Sequence, residues 1–177
     1  MTCEPGGDRE EDKPRETMWQ GKYVRAIKQG RWEYVSRTNE IKAVVILAEH
    51  DGKLILVEQF RFPVGKACLE LPAGLVGDED HVADVDETAL RELEEETGFT
   101  ADRVEHLGEY FSSPGLLAEG FTLVRAHGVR KVGEGGGTGG EDITVHLVAR
   151  EDLPELVAQK RREGVGIDVK LLMLMDF

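Results

Sequence analysis

The sequence has few cysteines, few aromatic side chains and no long apolar run. Its 177 residues include 2 cysteines, Cys3 and Cys68, so we expect no disulfide framework and a reducing, cytoplasmic environment. No run approaches the roughly 20 apolar residues that a membrane helix needs, so we expect no membrane association. The first 17 residues also lack the apolar segment that a secretory signal contains.

Positive charge is scarce as well. The chain carries 22 Lys and Arg against 35 Asp and Glu, which gives a formal net charge of −13. The phosphate backbone of a nucleic acid would be repelled at long range, so we expect no nucleic-acid partner. An acidic protein can still bind a small anionic substrate when metal cations lie between them. The positions of the carboxylates are therefore more informative than their number.

The order of patterns along the chain predicts a layered α/β domain with an N-terminal appendage. Residues 1–17 are polar and acidic, and we expect a disordered tail. Residues 18–40 predict an antiparallel strand pair with a turn at Gln29-Gly30. In residues 41–177, apolar strands are mixed with helical segments, and the six glycines of residues 133–140 predict a flexible loop.

One predicted helix concentrates negative charge on a single edge. It ends at Gly98, and Glu92 and Glu96 lie one turn apart with Glu95 beside them. Like charges at this spacing destabilise a helix, and the C-terminal end of the helix dipole disfavours anions. Two explanations remain open from the residues alone. The edge is an ordinary solvated surface, or divalent cations neutralise it, in which case oxygen ligands favour Mg²⁺ or Mn²⁺.

The residues around these carboxylates follow a fixed spacing: Arg91, Glu92, Leu93, Glu95, Glu96, Gly98 and Phe99. They resemble the second half of the Nudix box, G-x5-E-x7-R-E-U-x-E-E-x-G-U, where U is a bulky apolar residue. Counted from Gly74, the first half reaches Asp80 at the box Glu and then requires a three-residue insertion around Asp80–Val82. The resemblance covers about residues 20–177. It implies a Nudix-type α/β/α sandwich with a mixed sheet, and Mg²⁺ or Mn²⁺ bound by Glu92, Glu95 and Glu96.

Other segments resemble the ADP-ribose pyrophosphatases within this family. Glu70-Leu71-Pro72-Ala73-Gly74 is similar to the segment that leads into their box, and Pro114 follows Gly98 at their characteristic distance of 16 residues. The resemblance implies that the Ala73 carbonyl helps to bind metal and that Arg61, Glu70 and Pro114 bind substrate. Arg61 paired simply with an acidic neighbour is the alternative.

The N-terminal strands and the glycine-rich segment complete this resemblance. The strands are similar to those that pair two protomers, which implies a homodimer in which Trp32, Tyr23 and Arg37 bind the base and ribose. Ordinary packing is the alternative for Tyr23. Glu141, which follows the glycines, resembles a catalytic carboxylate, and we expect it to act as the general base, with Glu95 as the competing residue.

The activity implied by the resemblance is hydrolysis of ADP-ribose to AMP and ribose 5-phosphate. A small nucleoside diphosphate derivative is thus the expected partner. Two alternatives stay open: a hydrolase of another nucleotide sugar, such as GDP-mannose or UDP-glucose, and a non-catalytic module that binds ADP-ribose.

Overall fold

The computed structural model describes residues 9–39, 41–77 and 84–175. Contacts between residues divide the chain into two compact units. The first comprises Met1–Ile41 and Phe111–Gly120, and the second comprises Lys42–Tyr110 and Phe121–Phe177. No helix among the described residues combines the length and the apolar character needed to cross a membrane.

The first unit is built on a three-stranded antiparallel sheet rather than on the predicted pair. Its strands are β1 (Arg15–Gln20), β2 (Val24–Gln29) and β3 (Trp32–Arg37), in the order β1-β2-β3. Gly30 forms the turn after β2 with φ +58°, a conformation that glycine adopts without strain. A main-chain bridge between Val35 and Leu117 attaches residues 111–120 to β3.

Residues 9–17 of the predicted disordered tail are ordered by contacts with this sheet, and residues 1–8 of that prediction lie outside the described residues. Glu10–Asp12 forms a 3₁₀ turn, and β1 begins at Arg15, inside the segment predicted to be disordered. The Gln29 side chain donates hydrogen bonds to the carbonyls of Glu11 and Lys13 at 2.9 and 3.1 Å. The Glu10 carboxylate accepts from the Arg31 amide at 2.7 Å. Polar contacts with the β2–β3 hairpin therefore order a segment that has no apolar pattern of its own.

Within the described residues, the second unit contains two larger sheets, one small sheet and two α-helices. Its remaining elements are β4 (Ala43–Leu47), β5 (Glu49–His50), β6 (Lys53–Arg61), β7 (Lys66–Glu70), β8 (Ala73–Leu75), α1 (Val85–Thr97), β9 (Phe99–Thr100), β10 (Arg103–Tyr110), β11 (Phe121–His127), β12 (Arg130–Lys131), β13 (Thr144–Ala149), α2 (Leu153–Arg162) and β14 (Gly166–Ile167). The first sheet has the order β10-β11-β4-β8 and is mixed, because β11 runs parallel to β4 and the other neighbours are antiparallel. The second has the order β13-β6-β7-β14, with β5 also paired to β6. The mixed sheet was predicted.

Two apolar clusters cover the two faces of these strands. Val44 and Ile46 of β4 belong to one cluster with Leu93 of α1, and Val45 belongs to the other with Val157 of α2. Successive strand residues point to opposite faces, so a strand buried on both faces needs a continuous apolar sequence. This requirement explains the uninterrupted aliphatic run at β4, and it fixes α1 against β4 and β8.

The C-terminal segment combines a short strand with a 3₁₀ helix. Gly166–Ile167 forms β14, which pairs in parallel with Cys68 and Leu69 of β7, and Val169–Leu174 is a 3₁₀ helix. The insertion predicted around Asp80–Val82 lies outside the described residues.

Candidate active site

The acidic edge of α1 is partly buried against strand β8. Helix α1 ends as predicted at Gly98, which has φ +73°, while Leu93 is fully buried in the core. Among the glutamates of residues 92–96, Glu94 is exposed, Glu92 and Glu95 are partly buried, and Glu96 is only 5% exposed. A fully solvated acidic edge is therefore excluded, because the three carboxylates predicted to bind metal are partly or wholly removed from water.

Glu96 is the most deeply buried of these carboxylates. Its Oε2 accepts a hydrogen bond of 3.1 Å from the main-chain amide of Ala73 in β8. Burial, together with the negative charges of Glu92 and Glu141, raises the pKa of Glu96 to about 8, although the Ala73 amide and Arg61 act in the opposite direction. The protein thus holds a carboxylate where its charged form is disfavoured unless a cation compensates it.

The Glu92 carboxylate lies against Gly74 of β8, which has no side chain. A Cβ placed on Gly74 would collide with the carboxyl group of Glu92, so this side chain packs directly on the main chain of β8. Burial and the charges of Glu95 and Glu141 raise the pKa of Glu92, despite the opposing effect of Arg91. Gly74, the first residue of the box, therefore leaves space for Glu92 in this position.

Arg91 holds two of the three carboxylates. Its guanidinium donates hydrogen bonds of 2.7 Å to Glu92 and 2.8 Å to Glu95. In this arrangement, no three His, Cys, Asp or Glu side chains of residues 9–39, 41–77 and 84–175 converge closely enough to hold a metal ion. A cation bound by Glu92 and Glu95 would have to compete with Arg91 for their oxygens.

The donor set nevertheless fits a divalent metal ion. Burial raises the pKa values of Glu92 and Glu96, and the negative charge of Glu141 adds to this effect, so an added cation would favour their charged forms. All the groups offered here are oxygens, the ligands that Mg²⁺ and Mn²⁺ prefer. Residues of the predicted metal set thus come from two elements, β8 and α1, that contact each other.

Arg61 and Glu70 form a two-pronged ion pair beside this cluster. The Arg61 Nε and Nη2 atoms donate to the two Glu70 oxygens at 2.7 and 2.8 Å, and Glu70 is 6% exposed. The charge of Arg61 also acts on Glu96. The structure therefore contains the ion pair between Arg61 and an acidic neighbour that was the alternative interpretation of this residue. A guanidinium held in this way is a fixed positive charge near the carboxylates.

Glu141 approaches the helix carboxylates from the glycine-rich segment. Its carboxylate accepts a 3.0 Å hydrogen bond from the Thr138 amide, and the residue remains exposed to solvent. Its charge contributes to the raised pKa values of Glu92 and Glu96. The structure therefore brings Glu141 into the electrostatic environment of α1, 45 positions along the chain from Glu96 (141 − 96 = 45).

The first unit carries its own cavity of about 430 Å³. Trp32, Tyr34 and Pro114 line it, so two of the predicted substrate residues share one cavity. Tyr34 was missed by sequence reasoning. Its signal was the period of two along β3, which places residues 32 and 34 on the same face.

The two other residues predicted for base and ribose binding do not line this cavity. Tyr23 is 60% exposed, with the Lys22 ammonium 4.8 Å from the centre of its ring. Arg37 forms an ion pair with Glu119 in the same unit. This pairing gives Glu119 a definite partner within the first unit.

Comparisons with known proteins add a family match. A family model described as the NUDIX domain matches residues 38–165. The chain is 45% identical over 80 residues to the ADP-ribose pyrophosphatase of Bacillus subtilis, an alignment that covers 44% of this chain and 40% of that protein. It is 31% identical over 153 residues to an uncharacterized Nudix hydrolase of Schizosaccharomyces pombe, covering 79% of this chain and 73% of the other.

A solved structure described as an ADP compounds hydrolase has a similar fold. It matches with a TM-score of 0.67 and 21% sequence identity, over 91% of this chain and 89% of the other. The chain spans about half the length of several curated relatives that it matches, the Bacillus subtilis protein among them.

Proposed function

The chain belongs to the Nudix family, and we propose that it hydrolyses ADP-ribose to AMP and ribose 5-phosphate in the presence of Mg²⁺. Nudix hydrolases generally use divalent metal ions. The observation that carries the proposal is the burial of Glu96 and Glu92 against Ala73 and Gly74, next to Glu141. The similarity to the ADP-ribose pyrophosphatase of Bacillus subtilis supports ADP-ribose as the substrate.

Glu92, Glu95, Glu96 and the Ala73 carbonyl are the groups that would hold Mg²⁺. When bound, the metal would neutralise the pyrophosphate and activate a water molecule. The chain itself would contribute preorganised oxygens. Gly74 leaves space for Glu92, and the Ala73 amide orients Glu96. Arg91 would leave Glu92 and Glu95 as the cation binds.

Glu141 is the proposed general base, and Glu95 is the competing residue. In hydrolysis, a water oxygen forms a bond to one phosphorus while the bridging oxygen–phosphorus bond breaks, and the water loses a proton. Glu141 is suited to accept this proton because it is exposed and still close enough to influence Glu92 and Glu96. Glu95 is partly buried and bound by Arg91, which would have to release it first.

Two groups of residues are proposed to bind the rest of the substrate. The Arg61–Glu70 pair would fix the phosphates, with Arg61 as the positive charge. Trp32, Tyr34 and Pro114, which line one cavity of the first unit, would bind the adenine of a substrate held by the partner in a homodimer, because stacking on aromatic rings suits any purine. Arg37, and the exposed Tyr23, would contact the ribose or base of a substrate bound to the partner in a homodimer.

Product analysis on a substrate panel tests the proposed function. ADP-ribose, GDP-mannose and UDP-glucose are incubated separately with the protein and Mg²⁺, and the nucleoside monophosphate and sugar phosphate are quantified. We expect the highest kcat/KM for ADP-ribose, with equal amounts of AMP and ribose 5-phosphate. Preferred cleavage of another nucleotide sugar would show that ADP-ribose is not the main substrate, while the proposed pyrophosphate hydrolysis would stand. Tight binding of ADP-ribose without AMP release would identify a non-catalytic module instead.

A further inference from the structure

The C-terminal turn of α1 is closed by an external segment of main chain. The last carbonyls of a helix lack partners within the helix and must be satisfied from outside. Gly98 donates to the Glu94 carbonyl at 2.8 Å, which is a common helix ending. The next two carbonyls, those of Glu95 and Glu96, accept hydrogen bonds from the amides of Gly137 at 3.0 Å and Gly136 at 2.9 Å.

The same segment contacts the residue that ends the helix. The amides of Val132 and Gly133 donate to the Gly98 carbonyl at 2.8 and 3.0 Å. We call residues 132–137 the glycine cap. Four of its amides thus bind carbonyls of the α1 terminus, and two of those carbonyls belong to Glu95 and Glu96.

Glycine is required in this cap because main chain packs directly on main chain. A Cβ on Gly135 would lie 2.3 Å from the carbonyl carbon of Thr97, and one on Gly98 would lie 2.3 Å from the carbonyl oxygen of Gly133. Gly135 also has φ +71°, which side chains disfavour. Residues 133–137, the first part of the predicted flexible loop, are therefore packed against α1. Their glycines permit close packing on α1, whereas Gly139 has nothing within 4 Å of its Cβ position.

The cap continues directly into Glu141. The Ile143 amide donates to the Gly136 carbonyl at 3.2 Å, and the Glu141 amide donates to the Thr138 carbonyl at 3.1 Å. A Cβ on Gly137 would lie 2.6 Å from the Cβ of Glu141. The position of Glu141 and the main chain of Glu95 and Glu96 are therefore fixed by the same few residues.

We propose that the glycine cap is a positioning element of the reaction: it sets the last turn of α1 and Glu141 in one fixed relation, so that the carboxylates on both sides are placed together. Its glycines are positioning residues, since they act only through main chain. This inference rests on the proposed function in assigning metal binding to Glu95 and Glu96. The existence of the cap rests only on the hydrogen bonds and packing described above.

The variant Gly135→Ala tests the cap, and Gly139→Ala is its matched control. Both replace a glycine of the same segment that has positive φ, +71° and +63°, but only the Cβ at residue 135 collides with α1. Two quantities are measured for wild type and both variants. Amide hydrogen exchange by NMR reports the Gly136 and Gly137 hydrogen bonds, and titration with Mn²⁺ alone, followed by electron paramagnetic resonance, reports metal affinity.

We expect both amides to be protected in wild type and in Gly139→Ala, and to exchange faster in Gly135→Ala. Mn²⁺ affinity should fall roughly 10- to 100-fold in Gly135→Ala, the range seen when groups that orient metal ligands are removed, and should be unchanged in Gly139→Ala. Equal Mn²⁺ affinity in the two variants would overturn the positioning role.

Measurements on the wild-type protein test the glycine cap and the metal site even if Gly135→Ala fails to fold. Rapid exchange of the Gly136 and Gly137 amides in the wild-type protein would overturn the cap itself. Failure of wild type to bind Mn²⁺ would instead overturn the proposed function, and with it the positioning role toward a metal. The two failures are therefore distinguishable.

Discussion

The main-chain amide of Ala73 donates a 3.1 Å hydrogen bond to Glu96 Oε2. The bond joins strand β8 to helix α1, and it unites two residues that the sequence resemblance names separately as metal ligands. Because the Ala73 amide binds Glu96, the position of the Ala73 carbonyl and that of the Glu96 carboxylate depend on each other. The metal site is thus proposed to depend on the contact between β8 and α1 as much as on the carboxylates themselves.

Removal of divalent metal is expected to abolish activity. The buried carboxylates repel one another and provide only oxygen ligands, so substrate turnover should stop in EDTA and return when Mg²⁺ or Mn²⁺ is added in excess. Mg²⁺ should also raise the melting temperature, since it binds the folded state. The measurement is AMP release with and without chelator, together with thermal unfolding. Full activity in EDTA would show that no metal is needed.

Glu141→Gln is expected to lower kcat by about 10²- to 10⁴-fold with little change in KM, because a general base acts mainly in the transition state. Steady-state kinetics on ADP-ribose at saturating Mg²⁺ measure this. Glu134→Gln is the control, since Glu134 lies in the same segment and its side chain is 96% exposed. A rise in KM alone would make Glu141 a binding residue. Unchanged kinetics would direct the search for a base to Glu95.

A homodimer built through residues 22–40 is expected, because Tyr23 and Trp32 are 60% and 49% exposed on the N-terminal sheet. Sedimentation should give twice the mass of one chain. If Trp32 serves the partner's site, mixing Trp32→Ala with Glu96→Gln should restore about one quarter of wild-type activity at low substrate, since half of the dimers carry one intact site. A fully active monomer would contradict this account.

The Glu58 carboxylate should contribute stability that is lost in acid. Lys160 lies 2.8 Å and His146 2.9 Å from its Oε2. Burial opposes ionisation, but these two partners outweigh it and lower the pKa of Glu58. A lowered carboxylate pKa stabilises the folded state above the unfolded pKa, and this contribution disappears as pH falls through the folded value.

Glu58→Gln should therefore reduce the free energy of unfolding at pH 7 by about 1–3 kcal/mol. In urea unfolding, the difference from wild type should narrow as pH falls below the ordinary glutamate pKa. Glu155→Gln is the control, because its ion pair with Arg162 is largely exposed and should contribute almost nothing. A difference independent of pH down to acid unfolding would exclude the ionic origin.

The helix and its carboxylates could be predicted because their signals are local. The spacing of Leu93 from its neighbours and the left-handed Gly98 determine α1 within a single stretch of sequence. The β1 strand could not be predicted, since all of its residues are exposed and the strand forms through pairing with β2. The C-terminal segment is similar, because β14 exists through pairing with Cys68 and Leu69 nearly 100 residues earlier (166 − 68 = 98).

Composition misled the interpretation of the glycine-rich segment. Six glycines in eight residues predict mobility when the segment is considered alone. Gly135 is instead required for close packing on Thr97, a contact that no local pattern reveals. Tyr34 lines the cavity, whereas Tyr23 was the tyrosine predicted to bind the base, and the reason for this difference is simpler. Strand alternation from Trp32 points to residue 34, and the resemblance drew attention to Tyr23.

The most direct test of the proposed carboxylate site compares Glu96→Gln with Glu94→Gln. The first removes a charge from a buried residue while keeping an oxygen that can accept from Ala73. The second makes the same change on the exposed face of the same helix. We measure kcat for ADP-ribose hydrolysis at saturating Mg²⁺. The account predicts a loss of at least ~10²-fold for Glu96→Gln and a change of less than about twofold for Glu94→Gln. Equal effects of the two substitutions would contradict it.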